Sequence, residues 1–185
     1  MDMRIHAFTP YSSVNGPGER SVLHFQGCRF SCAGCFNPET HALDQGRVVS
    51  IDSVLNWIPV DVEGVTISGG EPFLQREALL QLVSSIKEKG YTVVVFSGYY
   101  LREIQKLEYG LDILSYVDVL IDGRFDEERI SQSSLHGSDN QNIHLLTNRY
   151  KRSDFNKREV EFTIDLNGDI QITGFPANST LSKVK

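Results

Sequence analysis

The sequence predicts an α/β protein with a mostly parallel sheet, either open or curled into part of a barrel. Continuous apolar runs of strand length alternate with segments of helical periodicity, and glycine or proline follows most runs. A C-terminal segment, 160–173, alternates apolar and polar residues around Asn167-Gly168, which predicts an appended antiparallel hairpin. With 185 residues the chain is too short for a complete eight-stranded barrel.

Strands and helices are expected to alternate. The apolar runs predict strands at 21–26, 64–68, 91–97 and 117–123. Ser50 can cap a helix over 51–58, and the spacing of leucine, valine and isoleucine predicts a longer helix that stops at Gly90. A shorter helix is expected from about 100 to 107. Consecutive units of this kind form parallel sheets with right-handed crossovers.

Composition narrows the function classes. The formal charge is −6 and 40% of the residues are hydrophobic, so the chain can bury a core but offers no cationic surface for nucleic acid or anionic lipid. No stretch approaches the roughly 18 apolar residues that span a bilayer. The first ten residues lack a leader pattern. We therefore expect a cytoplasmic protein with a small-molecule ligand or a protein partner, and neither a membrane nor a nucleic-acid partner.

The organisation predicted is a main domain over 1–147 and an extension over 148–185 that packs on the same domain. The extension begins with a basic segment, 148–159, in an otherwise acidic chain. This segment is interpreted either as a solvated connector or as a docking patch for an acidic partner. Its basic residues are Arg149, Lys151, Arg152, Lys157 and Arg158.

The chain has three cysteines, and all of them lie in one loop after the first predicted strand. Cys28, Cys32 and Cys35 form the pattern CxxxCxxC. Three soft ligands on one loop favour an iron-sulfur cluster with one open iron. Zinc would need a fourth ligand such as His24 or His41, at spacings that no common finger has. Unligated thiols are the third interpretation.

A second group follows the next predicted strand and reads "SGGEP", residues 68–72. Its two glycines can expose backbone groups at the mouth of the sheet, and the carboxylate of Glu71 suits an ammonium group. The ordinary interpretation is a turn that ends a strand.

Together these residues resemble the radical S-adenosylmethionine (SAM) superfamily, which has a CxxxCxxC loop after its first strand and a GGE motif after its second. The closer resemblance is to the activating enzymes of anaerobic (class III) ribonucleoside-triphosphate reductase. Five segments carry it in order: "NGPGERSVLHFQGCRFSCAGCFNPET", "VTISGGEPF", "VVVFSGYYLREI", "VDVLIDGRF" and "HGSDNQNIHLL".

The resemblance implies a partial (β/α) barrel that holds a [4Fe-4S] cluster and SAM. A donor such as flavodoxin or ferredoxin would pass one electron to the cluster, and SAM would be cleaved to methionine and a 5′-deoxyadenosyl radical. That radical would remove a hydrogen atom from a glycine of a large glycyl-radical enzyme, most naturally the reductase. A radical SAM enzyme with another target, or a non-catalytic iron-sulfur or zinc protein, are the alternatives.

The resemblance also implies roles for individual residues. The three cysteines would bind the cluster, Gly34, Cys35 and Phe36 would line SAM, and Gly69 to Glu71 would meet its methionine end. Ser97 and Asp122 would make polar contacts to the ribose or to the methionine group, although both also fit ordinary turns. For Asn37, a hydrogen bond within the cysteine loop is the alternative to a contact with SAM. The cofactor-binding set is Gly34, Cys35, Phe36, Asn37, Gly69, Gly70, Glu71, Ser97 and Asp122.

Three departures from the family pattern stand out. Gly34 occupies a position that is commonly aromatic in the superfamily, but glycine in the reductase activases. The loop 136–141 has His136 and Asp139 where those activases usually show arginine and serine. Its polar composition predicts a mobile loop. The resemblance suggests a surface near the partner's glycine loop, and a plain connecting loop is the other interpretation. The extension continues nearly forty residues past the compact members. His24, His41 and Asp44 are interpreted as structural or solvated.

Overall fold

The computed structural model of the protein describes residues 1–164 and 170–174. Within these residues the strands are β1 (Asp2–Ser12), β2 (Arg20–Phe25), β3 (Arg47–Ser50), β4 (Gly64–Gly69), β5 (Thr92–Ser97), β6 (Val119–Asp122), β7 (Asn142–Leu145), β8 (Val160–Ile164) and β9 (Ile170–Gly174). The α-helices are α1 (Ile51–Trp57), α2 (Arg76–Glu88), α3 (Leu101–Ile104) and α4 (Gly110–Ser115).

A mixed sheet with the strand order β3-β1-β2-β4-β5-β6-β7 forms the centre of the molecule. Its inner strands β2, β4, β5 and β6 are mutually parallel, which confirms the predicted parallel core. The flanking strands β1, β3 and β7 pair antiparallel. Sequence patterns missed these three: β3 and β7 have four residues each, and the register of β1 with β2 is interrupted by two irregularities.

The helices begin and end close to the predicted positions, with one exception. Ser50 caps α1, since its side chain accepts a hydrogen bond from the Ser53 amide at 3.1 Å. The predicted helix over 100–107 is shorter, and a second helix, α4, follows it. Tyr109 has a left-handed backbone (φ 62°) just before Gly110, where an added Cβ would clash with the Ile104 carbonyl oxygen. This tight turn separates α3 from α4.

Each face of the sheet has its own core. The helices cover one face, where α2 contributes Leu79, Leu82, Val83 and Ile86. The other face carries Val94, Val119 and Ile121, which pack against Leu135, Ile143, Tyr150 and Phe155. The basic segment 148–159 is therefore anchored by two buried aromatic side chains, although most of its charged residues are exposed. The prediction of a freely solvated connector overlooked these anchors.

Arg20 is completely buried at the start of β2 and is held by neutral partners. Its guanidinium donates to Thr66 Oγ1 (2.9 Å), Thr92 Oγ1 (3.0 Å) and the Tyr150 hydroxyl (2.9 Å), and to three backbone carbonyls. Burial lowers the pKa of this group. Because a buried cation is tolerated only when its donors are satisfied, the network ties the segment that carries Tyr150 to the parallel strands.

Strands β8 and β9 form a separate antiparallel pair in which Phe162 lies opposite Ile172. They occupy the segment where a hairpin is predicted, while the predicted turn at Asn167-Gly168 lies outside the described residues. Asn15 Nδ2 donates to Thr173 Oγ1 at 2.7 Å, which joins this pair to the segment after β1. Among the described helices, none combines the length and apolar character that crossing a membrane requires.

Replacing Tyr150 with phenylalanine tests the buried arginine network. The Y150F variant removes a hydroxyl group that accepts from Arg20 Nη1 and donates to the Glu63 carboxylate, so we expect the free energy of unfolding to fall by about 1–3 kcal/mol. Denaturant unfolding under reducing conditions measures the change. Tyr116→Phe, at a side chain that is 37% exposed, is the matched control and should change stability by less than about 0.5 kcal/mol. Equal effects of the two variants would contradict the role given to Tyr150.

Candidate functional site

The cysteine loop leaves the C-terminal end of β2 and is closed at its base by two backbone hydrogen bonds. The Gly27 amide donates to the Thr40 carbonyl (2.8 Å), and the Cys28 amide donates to the His41 carbonyl (3.1 Å). Within the loop, the Cys35 amide donates to the Cys32 carbonyl at 3.3 Å. The three cysteines are free thiols and half-buried. Parallel sheets commonly bind ligands at this end of their strands.

The donor set fits a cubane cluster. Burial raises the pKa of the Cys28 and Cys35 thiols, so both favour the protonated form until a metal displaces the proton. In the described part of the chain, no group of three or more His, Cys, Asp or Glu side chains converges as the ligands of one ion do. Thiolates that bind different irons of a cubane need not converge on one point. Three thiolates on one loop are therefore suited to three corners of such a cluster.

The GGE segment lies directly against the base of the cysteine loop. The Gly70 amide donates to the Phe25 carbonyl and the Glu71 amide to the Gly27 carbonyl, both at 2.8 Å. A Cβ added at Gly70 would clash with the Gly27 carbonyl oxygen, and one at Gly69 would lie 2.6 Å from the Phe25 backbone. The two glycines are thus required for the close approach of the two loops.

The Glu71 carboxylate is buried and accepts three hydrogen bonds. Its Oε1 accepts from the Phe73 amide (2.9 Å) and from Ser97 Oγ (3.0 Å), and its Oε2 accepts from the Gly98 amide (2.8 Å). Burial raises the pKa of Glu71 to about 7, although these donors oppose the shift. The carboxylate therefore joins the loop after β4 to the end of β5. A direct contact between this carboxylate and an ammonium group stays a prediction.

Ser97 and Asp122, the two remaining predicted residues at strand ends, differ in their position relative to the cavity. Ser97 lines the same cavity as the cysteines, and its hydroxyl is held between Glu71 and the Tyr99 amide. Asp122 does not line that cavity. Its carboxylate accepts from the Leu101 amide at the start of α3 and from Asn142 Nδ2 at 3.1 Å, so the ordinary interpretation as a structural turn residue is favoured there.

A cavity of about 590 Å³ brings the predicted groups together. The predicted residues that line it are Cys28, Cys32, Gly34, Cys35, Phe36, Asn37, Gly69, Gly70, Glu71 and Ser97. Lining residues that sequence reasoning did not assign to the site include Asn15, His24, Phe96, Phe125, Gln141, Ile172 and Thr173. Most of these residues come from segments that are distant in the sequence. For His24 and Phe96, the alternation of side-chain direction along β2 and β5 was the only signal in the sequence.

The charges around the cavity favour a cationic or neutral ligand. Among the described residues that line it, none is lysine or arginine, whereas Glu39 and Glu71 contribute carboxyl groups. His24 stays neutral near pH 7, because burial lowers its pKa to about 4. The described lining therefore provides no lysine or arginine as a counterion for phosphate groups, and the Glu39 carboxylate, together with the ionised fraction of Glu71, suits a positively charged ligand.

The loop 136–141 forms another part of the wall and is held by several hydrogen bonds. Gln141 Oε1 accepts from the amides of Gly137 (2.8 Å) and Ser138 (3.1 Å), and its Nε2 donates to the Gly123 carbonyl at 2.7 Å. Ser138 is fully buried. A mobile loop was expected from the polar composition, but the same polar groups bind the loop to the end of β6.

Aromatic rings surround the cysteine loop. Phe36 packs on Phe125 with ring centroids 4.8 Å apart, and Phe30 meets Tyr99 edge-on at 4.7 Å. The guanidinium of Arg124 lies 4.6 Å from the Phe30 ring centre. These contacts hold the loop from the outside.

Comparisons with known proteins agree with this site. A family model described as a 4Fe-4S single cluster domain matches residues 14–144. The anaerobic ribonucleoside-triphosphate reductase-activating protein of Vibrio cholerae serotype O1 is 34% identical over 78% of this chain and 99% of its own length. The proteins of the same name from Enterobacteria phage T4 and Escherichia coli K12 are 33% and 31% identical, over 72% and 78% of this chain and 88% and 99% of their own lengths.

The chain belongs to the anaerobic ribonucleoside-triphosphate reductase-activating proteins. The crystal structure of QueE from Escherichia coli has a TM-score of 0.43 and 19% identity, and the match covers 53% of each chain. The matches to the Vibrio cholerae and Escherichia coli activating proteins cover 99% of those proteins but 78% of this chain. The family model stops at 144, so strands β8 and β9 lie beyond it.

Replacing Gly70 with alanine tests the contact between the two loops. Since the added methyl group would meet the Gly27 carbonyl, we expect the free energy of unfolding to fall by about 2–4 kcal/mol and iron uptake to decline with it. Unfolding and iron content per chain are measured on the same preparation. Gly90→Ala is the control, because its methyl group meets nothing within 4 Å; its positive φ costs only about 1 kcal/mol. A wild-type iron content in G70A would contradict the tight fit.

The buried carboxyl group of Glu71 predicts a pH dependence of stability. Its pKa is about 7 in the folded protein and near 4.5 ordinarily, so between these pH values the folded protein keeps a proton that the unfolded chain has released. The contribution of Glu71 to the free energy of unfolding is therefore present below about pH 4.5 and falls by roughly 3 kcal/mol as the pH rises through 7.

Unfolding of the metal-free protein at pH 5, 6, 7 and 8 measures this dependence. In the E71Q variant the component is missing, so the difference in unfolding free energy between wild type and E71Q should shrink as the pH rises. The variant Glu77→Gln, at an exposed position of α2, should follow the wild-type profile. Parallel profiles of wild type and E71Q would show that the Glu71 carboxyl group does not titrate in this range.

Proposed function

We propose that the protein is a radical SAM activase that installs a glycyl radical on an anaerobic ribonucleoside-triphosphate reductase. Its relatives carry that activity in their names, and the chain shares their family. The observation that carries the proposal is that the three-cysteine loop and the GGE segment line one cavity, with their backbones in direct contact. The metal-binding residues are Cys28, Cys32 and Cys35.

The number of cysteines supports an open iron. A cubane held by cysteine alone takes four, and the chain has three. One iron would then lack a cysteine ligand and could bind the amino and carboxylate groups of SAM. Gly69 and Gly70 would offer their backbone groups beside it. An exchangeable position of this kind is what a metal needs in order to bind a substrate.

The charge of the cavity supports SAM as the second cofactor. SAM carries a sulfonium and an ammonium group, and the described lining contains carboxyl groups without a lysine or arginine. A cluster held by Cys28, Cys32 and Cys35, with SAM beside Gly69 to Glu71, would supply the one-electron reductive cleavage of SAM and the removal of a hydrogen atom from the target glycine, with methionine and 5′-deoxyadenosine as products.

The residues around the cofactors then have distinct tasks. Phe36 and Asn37 would lie along SAM on the side of the cysteine loop, beside Gly34. Ser97 would help to hold the Glu71 carboxylate beneath the methionine end. Asp122 would affect the site only indirectly, because its carboxylate accepts a hydrogen bond from the Leu101 amide at the start of α3. Phe30, Phe36 and Phe125 would keep water away from the radical.

The proposal includes a cellular setting and an architecture. Free thiols in a metal loop suit the reducing cytoplasm, where a flavodoxin or ferredoxin would supply the electron. The mixed sheet would be the partial (β/α) barrel of radical SAM proteins. Residues 1–147 would form the catalytic domain, and 148–185 an extension, including the predicted hairpin, that packs against it.

Anaerobic reconstitution with iron and sulfide, followed by dithionite and SAM, tests the proposal. We expect a [4Fe-4S] electron paramagnetic resonance signal that changes when SAM is added, release of 5′-deoxyadenosine, and a glycyl radical signal when the reductase is present. The Cys32→Ser variant should lose at least about 90% of this activity, because one corner of the cluster loses its thiolate.

The variant Ala33→Ser is the matched control, since it adds a hydroxyl group to the same exposed part of the loop and keeps every thiol. It should retain the cluster and SAM cleavage. A protein that holds zinc tightly, with His24 or His41 as an additional ligand, and that leaves SAM intact would overturn the proposal. SAM cleavage without activation of the reductase would show that the target is another protein or peptide.

A further inference from the structure

The basic segment 148–159 lies beyond the family match and gives an acidic chain a local positive charge. It holds five lysine and arginine residues and two acidic residues, whereas the whole chain has a formal charge of −6. The family model stops at 144. Arg152 and Lys157 are exposed, and Arg158 is partly buried. These three residues are called the basic patch below.

The segment that carries the basic patch is fixed to the body of the protein. Phe155 is buried, and its carbonyl accepts from the Leu135 amide at 2.9 Å and from Ser134 Oγ at 3.1 Å. Arg152 Nη1 donates to the Ile143 carbonyl at 2.6 Å. Because the backbone between the cations is already ordered, a partner that binds there loses less free energy to the ordering of this surface.

Arg158 connects the basic patch to the cysteine loop. Its guanidinium carbon lies 5.8 Å from the centre of the Phe36 ring, which is within the range of cation–π contacts. Phe36 directly follows the predicted cluster ligand Cys35 and lines the cavity, whereas Arg158 does not belong to the described lining. The guanidinium therefore covers a part of the ring that lies outside the cavity. A protein docked on Arg158 would be separated from Cys35 by one aromatic residue.

Two cations of the patch act on the same imidazole, which places them on one surface. Burial lowers the pKa of His136, Asp139 raises it, and the charges of Arg152 and Arg158 lower it. The Asp139 carboxylate lies 3.5 Å from His136 Nε2, and Asp154 is a second carboxylate on the basic segment. These two carboxylates offset part of the positive charge, so the surface keeps a positive potential with both signs present.

We propose that the basic patch docks an acidic one-electron donor protein, which reduces the cluster from the side of Phe36 that faces away from the cavity. The inference rests on the proposed function, because the electron is needed only if the cysteines hold a reducible cluster. The reduced flavin or iron-sulfur centre of the donor loses one electron, the oxidised cluster gains it, and no bond forms or breaks. The donor therefore needs proximity to the cluster and no entry into the cavity.

The same argument makes the reductase a poorer fit to this surface. Its target glycine must enter the cavity, and the basic patch lies outside the described lining. A positive surface attracts an acidic partner and raises the rate of its association, which suits a donor that must meet the protein briefly and leave again.

Reversal of two charges in the R152E/K157E variant tests the docking surface, with reduced flavodoxin as the acidic donor. Anaerobic stopped-flow absorbance measures how fast flavodoxin is reoxidised by the reconstituted full-length protein. We expect the second-order rate constant to fall at least about tenfold at about 20 mM ionic strength and to return to within about twofold of wild type at about 0.5 M, because salt screens the attraction. The Kd of oxidised flavodoxin, measured by calorimetry at low salt without turnover, should rise by a similar factor.

Single variants control for effects on folding and on charge elsewhere. Lys157→Glu changes one exposed side chain and should lower the rate constant about threefold, whereas Lys157→Arg keeps the charge and should keep the wild-type value. Lys89→Glu is the matched control. Lys89 is exposed and lies between α2 and the start of β5, at the opposite end of the parallel strands from the cysteine loop. This variant should keep the wild-type rate constant.

A chemical reductant separates this inference from the proposed function. With photoreduced 5-deazariboflavin, which needs no docking surface, wild type and R152E/K157E should release 5′-deoxyadenosine at the same rate. If wild type releases none, the proposed function fails and the docking role fails with it. If wild type cleaves SAM, equal rates of flavodoxin reoxidation in wild type and R152E/K157E, or an equal loss in K89E and K157E, would overturn the docking surface while the activase function stands. An unchanged flavodoxin rate with a raised KM for the reductase would overturn it as well and assign the patch to the reductase.

Discussion

The contact between the cysteine loop and the GGE segment is the constraint on which the site depends. The Glu71 amide donates to the Gly27 carbonyl, and the space at Gly70 excludes even a methyl group. Neighbouring parallel strands bring the two loops to the same edge of the sheet, since β2 pairs with β4. Both loops line one cavity, so a ligand bound by the thiols would lie beside the GGE segment.

The buried Glu71 carboxylate extends this constraint to the third strand of the parallel core. It bonds to the amides of Phe73 and Gly98 and to the Ser97 hydroxyl, so one side chain joins the ends of β4 and β5. The Glu71 carboxyl group, whose pKa is raised by burial, therefore has a structural task beside the cysteine loop. The main role of Glu71 is therefore to connect the loops of the site by hydrogen bonds, and its negative potential is secondary.

Two residues beyond position 147 make polar contacts to earlier parts of the chain. Tyr150 reaches the buried Arg20 at the start of β2, and Thr173 holds Asn15 at the cavity. Both contacts are made to the region that the family shares. Among the described residues beyond position 144, Tyr150 thus supports the sheet and Ile172 to Gly174 form part of the cavity wall.

The sequence by itself determined the parallel core and the cap of α1, and it indicated the three cysteines proposed as metal ligands and most of the other predicted residues that line the cavity. These features follow from local signals: apolar runs, a serine before a helix, and ligand spacing. Only the tertiary structure decided that Asp122 caps α3, that Glu71 is buried among donors, and that Thr173 meets Asn15 across 158 residues. Side-chain direction at a strand end and contacts between distant segments depend on how elements pack, and a local pattern contains no information about that packing.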